Sequence, residues 1–164
     1  MTRRFHTDDR GVSIAVSHIM TIAITAILIS GLMFGAGSLL EGEKDRSAGQ
    51  SLETIGERLS GEISSVDRLA DDEETETLRV TVDHPRTVSG SQYTIELHDS
   101  DDCDDDLISD ELACLTLRSH GGDVETSVPV VTDAAVEGQA SGGTIVIEYE
   151  DENDGTISIE RDSR

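Results

Sequence analysis

Residues 12–40 read VSIAVSHIMTIAITAILISGLMFGAGSLL, a run of 29 residues without Asp, Glu, Lys or Arg. As a helix at 1.5 Å per residue this run would be about 44 Å long, which exceeds the roughly 30 Å hydrocarbon core of a bilayer. Three arginines precede it in residues 1–11, whereas Lys44 and Arg46 follow it among acidic residues. The run therefore predicts one membrane-spanning helix, and the slight excess of positive charge before it favours a cytoplasmic N-terminus.

The length of this run also argues against a removable secretory signal. Such signals have an apolar region of about 7–15 residues before a small-residue cleavage site, and the small residues 35–37 are a weak candidate for that site. No cysteine lies near the run, so a lipoprotein anchor is excluded.

Small residues recur four positions apart in the apolar run, most clearly at Gly31 and Gly35. Such pairs let helix backbones approach closely in lipid or in a filament, although chance gives an ordinary anchor similar pairs. His18 is the one titratable side chain in the run. It either has a specific role within the membrane or reaches the nearby interface.

The order of features at the N-terminus is a short charged leader, Arg10-Gly11, and an apolar run that begins at Val12. In this order, and in the string DRGVSIAVSHIMTIAITAILISGLMFGAG, residues 8–40 resemble archaeal type IV pilins and archaellins, in particular haloarchaeal pilin-like proteins. The resemblance implies a class III signal peptide that a prepilin peptidase cleaves between Gly11 and Val12. It also implies association with other pilin-like subunits or with a pilus assembly platform.

Two positions depart from the pattern of that family. Ile14 stands where many archaeal pilins have Gln, and Val16 stands where bacterial pilins have a Glu that pairs with a neighbouring subunit's amino terminus. These departures bear on polymerisation more than on membrane insertion.

Residues 41–70 show a second helical pattern, with apolar residues three and four positions apart and charged residues between them. These apolar residues are Leu52, Ile55, Leu59, Ile63, Val66 and Leu69. They predict an amphipathic helix, which either continues the apolar helix or follows it after a bend. Such a helix fits the shaft of a pilin, and it equally fits a juxtamembrane helix that packs on its own domain without any polymer.

After residue 70 the apolar period changes from 3.6 to 2, which predicts a β domain over residues 71–164. Six short strands are expected around residues 78–82, 93–97, 113–117, 124–130, 145–149 and 157–159. They form an antiparallel sheet or sandwich, with the stripe of residues 52–69 packed on one face. Pro129 should lie on an edge or at a bulge, and residues 151–155 should form the last turn. The fold class is therefore α+β.

The formal charge of −23 comes from 35 acidic and 12 basic residues. Self-repulsion of this size could indicate disorder, but the regular apolar pattern argues for a folded domain. Because molar salt shortens the Debye length to about 3 Å, a halophilic source explains the charge most simply. Nucleic acid and anionic lipid surfaces are poor partners for such a surface.

Cys103 and Cys114 are the two cysteines of the chain and lie in a domain that should face an oxidising exterior. They form a disulfide, remain two free thiols, or bind a metal together with His98 and His120, an arrangement that lacks the short paired spacing of zinc sites. The acidic segment 98–106 has neither the glycine nor the spacing of a calcium-binding EF-hand loop, which favours a solvated loop.

No catalytic motif is present: the sequence has no nucleophile elbow, phosphate-binding glycine loop or HExxH pair. His84, His98 and His120 are expected in turns or on the surface. We therefore expect no enzyme activity, no cofactor and no metal.

These inferences combine into four segments: a charged leader (1–11), a transmembrane helix (12–40), an amphipathic helix (41–70) and an acidic extracellular β domain (71–164). The first hypothesis is a pilin-like structural protein of the cell surface, with the lipid bilayer, the prepilin peptidase and other pilin-like subunits as partners. The alternative is a single-pass protein that presents a binding or scaffold domain outside the cell and does not polymerise.

Overall fold

The structure is a computed structural model, and it describes residues 9–70, 76–103, 108–109, 112–151 and 155–162. Residues 1–8 of the predicted leader lie outside the described residues. A single helix, α1, spans Asp9–Ala70, so the two predicted helical segments belong to one element. Helix α1 contains no proline, which allows its backbone hydrogen bonds to continue without interruption.

Seven strands follow α1: β1 (Thr77–Asp83), β2 (Tyr93–His98), β3 (Ala113–Ser119), β4 (Glu125–Val130), β5 (Ala135–Ser141), β6 (Thr144–Glu150) and β7 (Thr156–Arg161). They form one sheet in the order β1-β6-β7-β5-β2-β3-β4. Neighbouring strands are antiparallel except for the parallel pair β5 and β7. The expected α+β class, a long apolar N-terminal helix followed by a mostly antiparallel sheet, is confirmed.

The chain divides into two compact units. The first contains the part of α1 up to Gly42, and the second begins at Glu43 and contains the rest of α1 together with the sheet. The amphipathic segment therefore belongs to the same compact unit as the β strands. We call this second unit, residues 43–164, the sheet domain.

The prediction of six strands was wrong, because β5 is a seventh. Only Val136 and Ala140 of this strand are buried hydrophobic residues, and the three residues between them are exposed. Such a strand shows almost no alternation of apolar and polar residues. Its place between β2 and β7 comes from backbone pairing, which does not depend on side-chain hydrophobicity.

The core of the sheet domain lies between α1 and one face of the sheet. The apolar stripe of the helix is buried there, as predicted, with Leu52, Leu59 and Ile63 fully inaccessible to solvent. At the end of the stripe Leu69 is exposed, and Ala70 is buried instead.

Gly56 marks a close approach between helix and sheet. A Cβ atom added to this glycine would lie 2.7 Å from Val128 Cγ2 and 2.9 Å from Leu117 Cδ1. Gly56 is helical, and side chains of strands β3 and β4 pack against it. Pro129 lies on the edge strand β4, as predicted.

Candidate membrane anchor and domain surfaces

Large apolar side chains cover the described part of α1 before Gly42. The exposed ones are Val16, Ile19, Met20, Ile22, Ile24, Ile27, Leu28, Ile29, Leu32, Met33, Phe34, Leu39 and Leu40. Monomeric soluble proteins rarely expose apolar surface on this scale. Among the described residues α1 is the one helix long and apolar enough to cross a bilayer. This arrangement is consistent with a single-pass membrane protein.

Three hydroxyl groups in this segment donate to backbone carbonyl oxygens of the helix itself. Thr21 donates to the carbonyl oxygen of Ser17 at 2.9 Å, Thr25 to that of Thr21 at 2.8 Å, and Ser30 to that of Ala26 at 2.8 Å. A hydroxyl without a partner is costly in hydrocarbon. These internal hydrogen bonds lower the cost of placing the segment in lipid.

The predicted helix-packing and processing residues all lie on α1. A Cβ atom added at Gly31 or Gly35 would contact nothing within 4 Å, so the backbone is open to close approach at both positions. The bond between Gly11 and Val12 lies near the start of the helix, which begins at Asp9. Close helix packing and cleavage stay predictions.

Cys103 and Cys114 are joined by a disulfide, with their Cα atoms 6.0 Å apart. The bond ties the short 3-10 turn Ser100–Asp102 to strand β3. Because both thiols are consumed, they cannot serve as the thiolate ligands of a metal site. Much of the acidic segment considered for calcium, residues 104–106, lies outside the described residues.

The other two residues considered for the metal site, His98 and His120, contact different partners. His98 Nε2 is 3.6 Å from Glu96 Oε2, and His120 Nε2 is 2.7 Å from Thr94 Oγ1. Among the described residues no three His, Cys, Asp or Glu side chains form a group that could hold a metal ion.

The expectation that His84 is a turn or surface residue was wrong, because its side chain is buried. Its side chain is 1% exposed, and its Nε2 atom lies 3.1 Å from Glu62 Oε2 on α1. Its backbone nitrogen donates to the carbonyl oxygen of Gly143 at 3.1 Å. His84 thus connects the end of β1 with the helix, a role for which a single His after a strand gives no sequence signal.

Helix α1 covers the C-terminal end of the outer edge of strand β4. Ser60 donates to the carbonyl oxygen of Pro129 at 2.7 Å, and Ser64 donates to that of Val131 at 2.7 Å. Pro129 also lacks the N–H group that another strand would need. This edge is therefore poorly suited to bind a further strand.

Contacts between α1 and the chain continue just beyond the end of β4. Thr132 donates through its hydroxyl to Asp67 Oδ1 at 2.9 Å, and the backbone nitrogen of Asp133 donates to Asp67 Oδ2 at 3.4 Å. The contacts of Ser60, Ser64 and Asp67 show that α1 runs alongside β4 in the same direction.

The opposite edge of the sheet, strand β1, has no such cover. The carbonyl of Glu76 accepts from the backbone nitrogen of Asp151, and the backbone nitrogen of His84 donates to Gly143. The backbone N–H and C=O groups at even-numbered positions of β1 therefore form hydrogen bonds with β6. The same groups at odd-numbered positions point away from β6. The outward positions, which we call the open edge, are Thr77, Arg79, Thr81 and Asp83, all exposed. No hydrogen bond from the described part of the chain reaches the backbone groups of these four residues.

Comparison with known proteins places both parts of the chain in one family. A family model described as a family of unknown function, DUF7266, matches residues 7–160. The chain belongs to this family. The matched range contains all of α1 and the strands as far as Glu160 in β7. Neither a curated protein nor a solved structure matches the chain.

Proposed function

We propose that this chain is a pilin-like structural protein of the cell surface, anchored by residues 12–40 and carrying an acidic domain outside the cell. The observation that supports this proposal most directly is the contrast along α1. Apolar side chains are exposed before Gly42, whereas the apolar stripe from Leu52 to Val66 is buried against the sheet. One half of the helix therefore needs lipid or other helices around it, and the other half does not.

Two further observations support the external location. The Cys103–Cys114 disulfide suits an oxidising exterior, and the charge of −23 suits an external medium of high salt. In this proposal residues 1–11 face the cytoplasm, and a prepilin peptidase cleaves after Gly11 to leave Val12 as the first residue.

N-terminal sequencing of the protein purified from membranes tests the processing step. The proposal expects Val12 as the first residue of the wild-type chain. G11L should retain the leader, because it replaces the small residue before the cleaved bond. G31L, which changes the same residue type inside the anchor, should still begin at Val12. A wild-type chain that begins at Met1 or Thr2 contradicts processing and supports a plain anchor.

The second candidate is a single-pass protein whose sheet domain binds an external ligand or partner without polymerisation. It is favoured by the surface of the sheet domain, where Leu69 and Val131 are the exposed large apolar residues among those described. The amphipathic half of α1 thus offers no apolar stripe to neighbouring subunits. Filament contacts would depend on residues 12–40.

Mechanical shearing of cells separates the two candidates. A pilin-like subunit should appear in the sheared supernatant as filaments that sediment at high speed. A single-pass binding protein should stay with the membranes in monomeric form after the same treatment.

A further inference from the structure

A groove on the sheet domain lies between helix α1 and the segment that follows strand β1. Its volume is about 440 Å³, within the range of about 300–1,000 Å³ that is usual for ligand sites. We call it the hydroxyl groove, because most of its lining side chains carry a hydroxyl or an amide group. These polar side chains are Ser47, Gln50, Ser51 and Thr54 on α1, and Thr87 and Ser89 after β1. Both walls belong to the same compact unit, so the groove is part of one packed domain.

The hydroxyl groove is uncharged in a strongly charged chain. Asp, Glu, Lys and Arg make up 29% of the sequence, yet none of the described residues that line the groove is one of them. The charge of −23 repels anionic ligands, and a cationic ligand would be attracted to the many carboxylates outside the groove. Molar salt also screens attraction between exposed charges beyond about 3 Å, whereas hydrogen bonds between neutral groups persist. The groove therefore suits an uncharged ligand.

The helix wall of the groove presents hydrogen-bond acceptors. Ser51 donates to the carbonyl oxygen of Ser47 at 2.8 Å, and Thr54 donates to that of Gln50 at 2.9 Å. A hydroxyl has one proton to donate and two lone pairs that can accept. Because both protons are already used, the oxygens of Ser51 and Thr54 are left to accept from a ligand. The ligand must therefore supply O–H or N–H donors.

The other wall is a tight turn held against α1. Val88 and Ser91 exchange backbone hydrogen bonds of 2.8 and 2.9 Å, and the two residues between them, Ser89 and Gly90, have positive φ values of 48° and 83°. Ser89 donates through its hydroxyl to the carbonyl oxygen of Lys44 on α1 at 3.4 Å. This wall is therefore formed before any ligand arrives, which lowers the entropy cost of binding.

Two side chains of the groove are free to donate as well as accept. Gln50 and Thr87 are exposed, and neither side chain forms a hydrogen bond with the described part of the chain. The exposed ring of Pro85 adds apolar surface beside them. A sugar ring matches this combination, because its hydroxyl groups donate and accept around the edge and its C–H groups lie on the faces.

We propose that the hydroxyl groove binds a neutral carbohydrate, with a sugar ring held between α1 and Thr87. An extended peptide fits less well, because it binds through its main chain to the edge of a strand, and none of the lining residues belongs to one of the seven strands. The inference goes beyond the proposed function. It adds a ligand, and it does not depend on cleavage after Gly11 or on polymerisation.

Saturation-transfer NMR on the full chain tests the class of ligand. The protein is kept in molar salt and in a polyoxyethylene detergent, because glycoside detergents carry a sugar headgroup. The neutral probes are maltotriose, cellotriose and mannotriose, and the controls are trigalacturonate, a glucosamine trimer and N-acetyl-trialanine amide. We expect transfer to at least one neutral trisaccharide and to none of the controls. No transfer to any neutral trisaccharide, or equal transfer to a control, overturns the proposal.

The variant S51E places a carboxylate in the groove, and S65E is its matched control. Ser65 also lies on α1 and donates to the carbonyl oxygen four residues earlier, at 2.7 Å, but it does not line the groove. S51E should weaken binding of the trisaccharide at least tenfold, because the longer side chain occupies the groove. S65E should bind like the wild type. Circular dichroism establishes that both variants are folded, and equal affinities of the two overturn the proposal.

The variant T87A tests the wall opposite the helix without filling the groove. Loss of one hydrogen bond between neutral groups should weaken binding about two- to tenfold. The matched control is T81A, because Thr81 is also exposed and lies on β1, outside the groove. T81A should bind like the wild type. An affinity of T87A equal to that of T81A overturns the placement of the sugar between the two walls.

Discussion

The packing of α1 on the sheet can be tested at Gly56 with an internal control. A Cβ atom at this position would lie 2.7 Å from Val128 Cγ2 and 2.9 Å from Leu117 Cδ1, inside normal contact distance. Overpacking of this kind reduces the free energy of unfolding by about 1–3 kcal/mol. Replacing a helical Gly by Ala adds about 1 kcal/mol of helix stability in return, so the net effect of G56A is a loss of about 0–2 kcal/mol.

Gly61 is the matched control, because it is helical and exposed and an added Cβ would contact nothing within 4 Å. G61A should therefore raise the free energy of unfolding by the helix contribution alone. The helix contribution cancels in the difference between the two variants, which should equal the steric cost of about 1–3 kcal/mol.

Urea unfolding of the full-length chain in detergent and molar salt, followed by circular dichroism, measures both variants. G56A should be less stable than G61A by the steric cost. Equal stabilisation by the two substitutions would mean that α1 does not approach the sheet closely at Gly56.

Further predictions concern the sheet domain and can be measured by the same unfolding assay. G138A should lower the free energy of unfolding by about 2–4 kcal/mol, since Gly138 has a φ of 118° and its added Cβ would lie 2.5 Å from the carbonyl oxygen of Ile159. G90A, at a φ of 83° with no atom within 4 Å, should lower it by only about 1–2 kcal/mol; equal losses would contradict the close approach of β5 to β7. Reduction of the Cys103–Cys114 disulfide should lower it by about 3 kcal/mol, because the closed loop restricts the unfolded chain, and an unchanged unfolding midpoint would contradict this contribution. Burial raises the pKa of Tyr93 from 10.0 to about 12. The native state then holds the phenol proton after the unfolded chain has lost it. The raised pKa therefore contributes about 3 kcal/mol to the free energy of unfolding. This contribution is fully present below pH 10 and is lost as the pH rises through about 12. Y93F should lack this loss, and an identical pH profile for wild type and Y93F would refute the assignment.

The helical part of the fold was predictable because its pattern depends on local periodicity. The stripe from Leu52 to Val66 repeats every three or four residues, and those side chains are buried where the pattern placed them. The pattern failed at Leu69, which is exposed at the end of the helix. Periodicity defines a face of a helix but not where the partner surface ends.

Strands with alternating apolar and polar residues were predictable from the sequence. A strand held mainly by backbone pairing was not. Strand β5 has two buried hydrophobic side chains, Val136 and Ala140, and its parallel partner β7 is distant in the sequence. The buried His84 likewise contacts Glu62, which lies 22 residues earlier on α1. Contacts of this kind arise from the tertiary fold and leave no local signal.

The surfaces of the sheet domain illustrate the same limit. Pro129 correctly indicated an edge strand, but the cover that Ser60 and Ser64 provide requires knowledge of how α1 lies beside β4. The sequence also does not distinguish β1, whose outward groups are open, from an inner strand of similar composition. That difference follows from the strand order.

We expect residues 12–40 to reside in lipid. The most direct measurement is the fractionation of cells that express the full chain, followed by alkaline and high-salt washes of the membranes. We expect the protein to stay in the membrane pellet and to enter solution only with detergent. Recovery of the intact chain in the aqueous extract without detergent would contradict it.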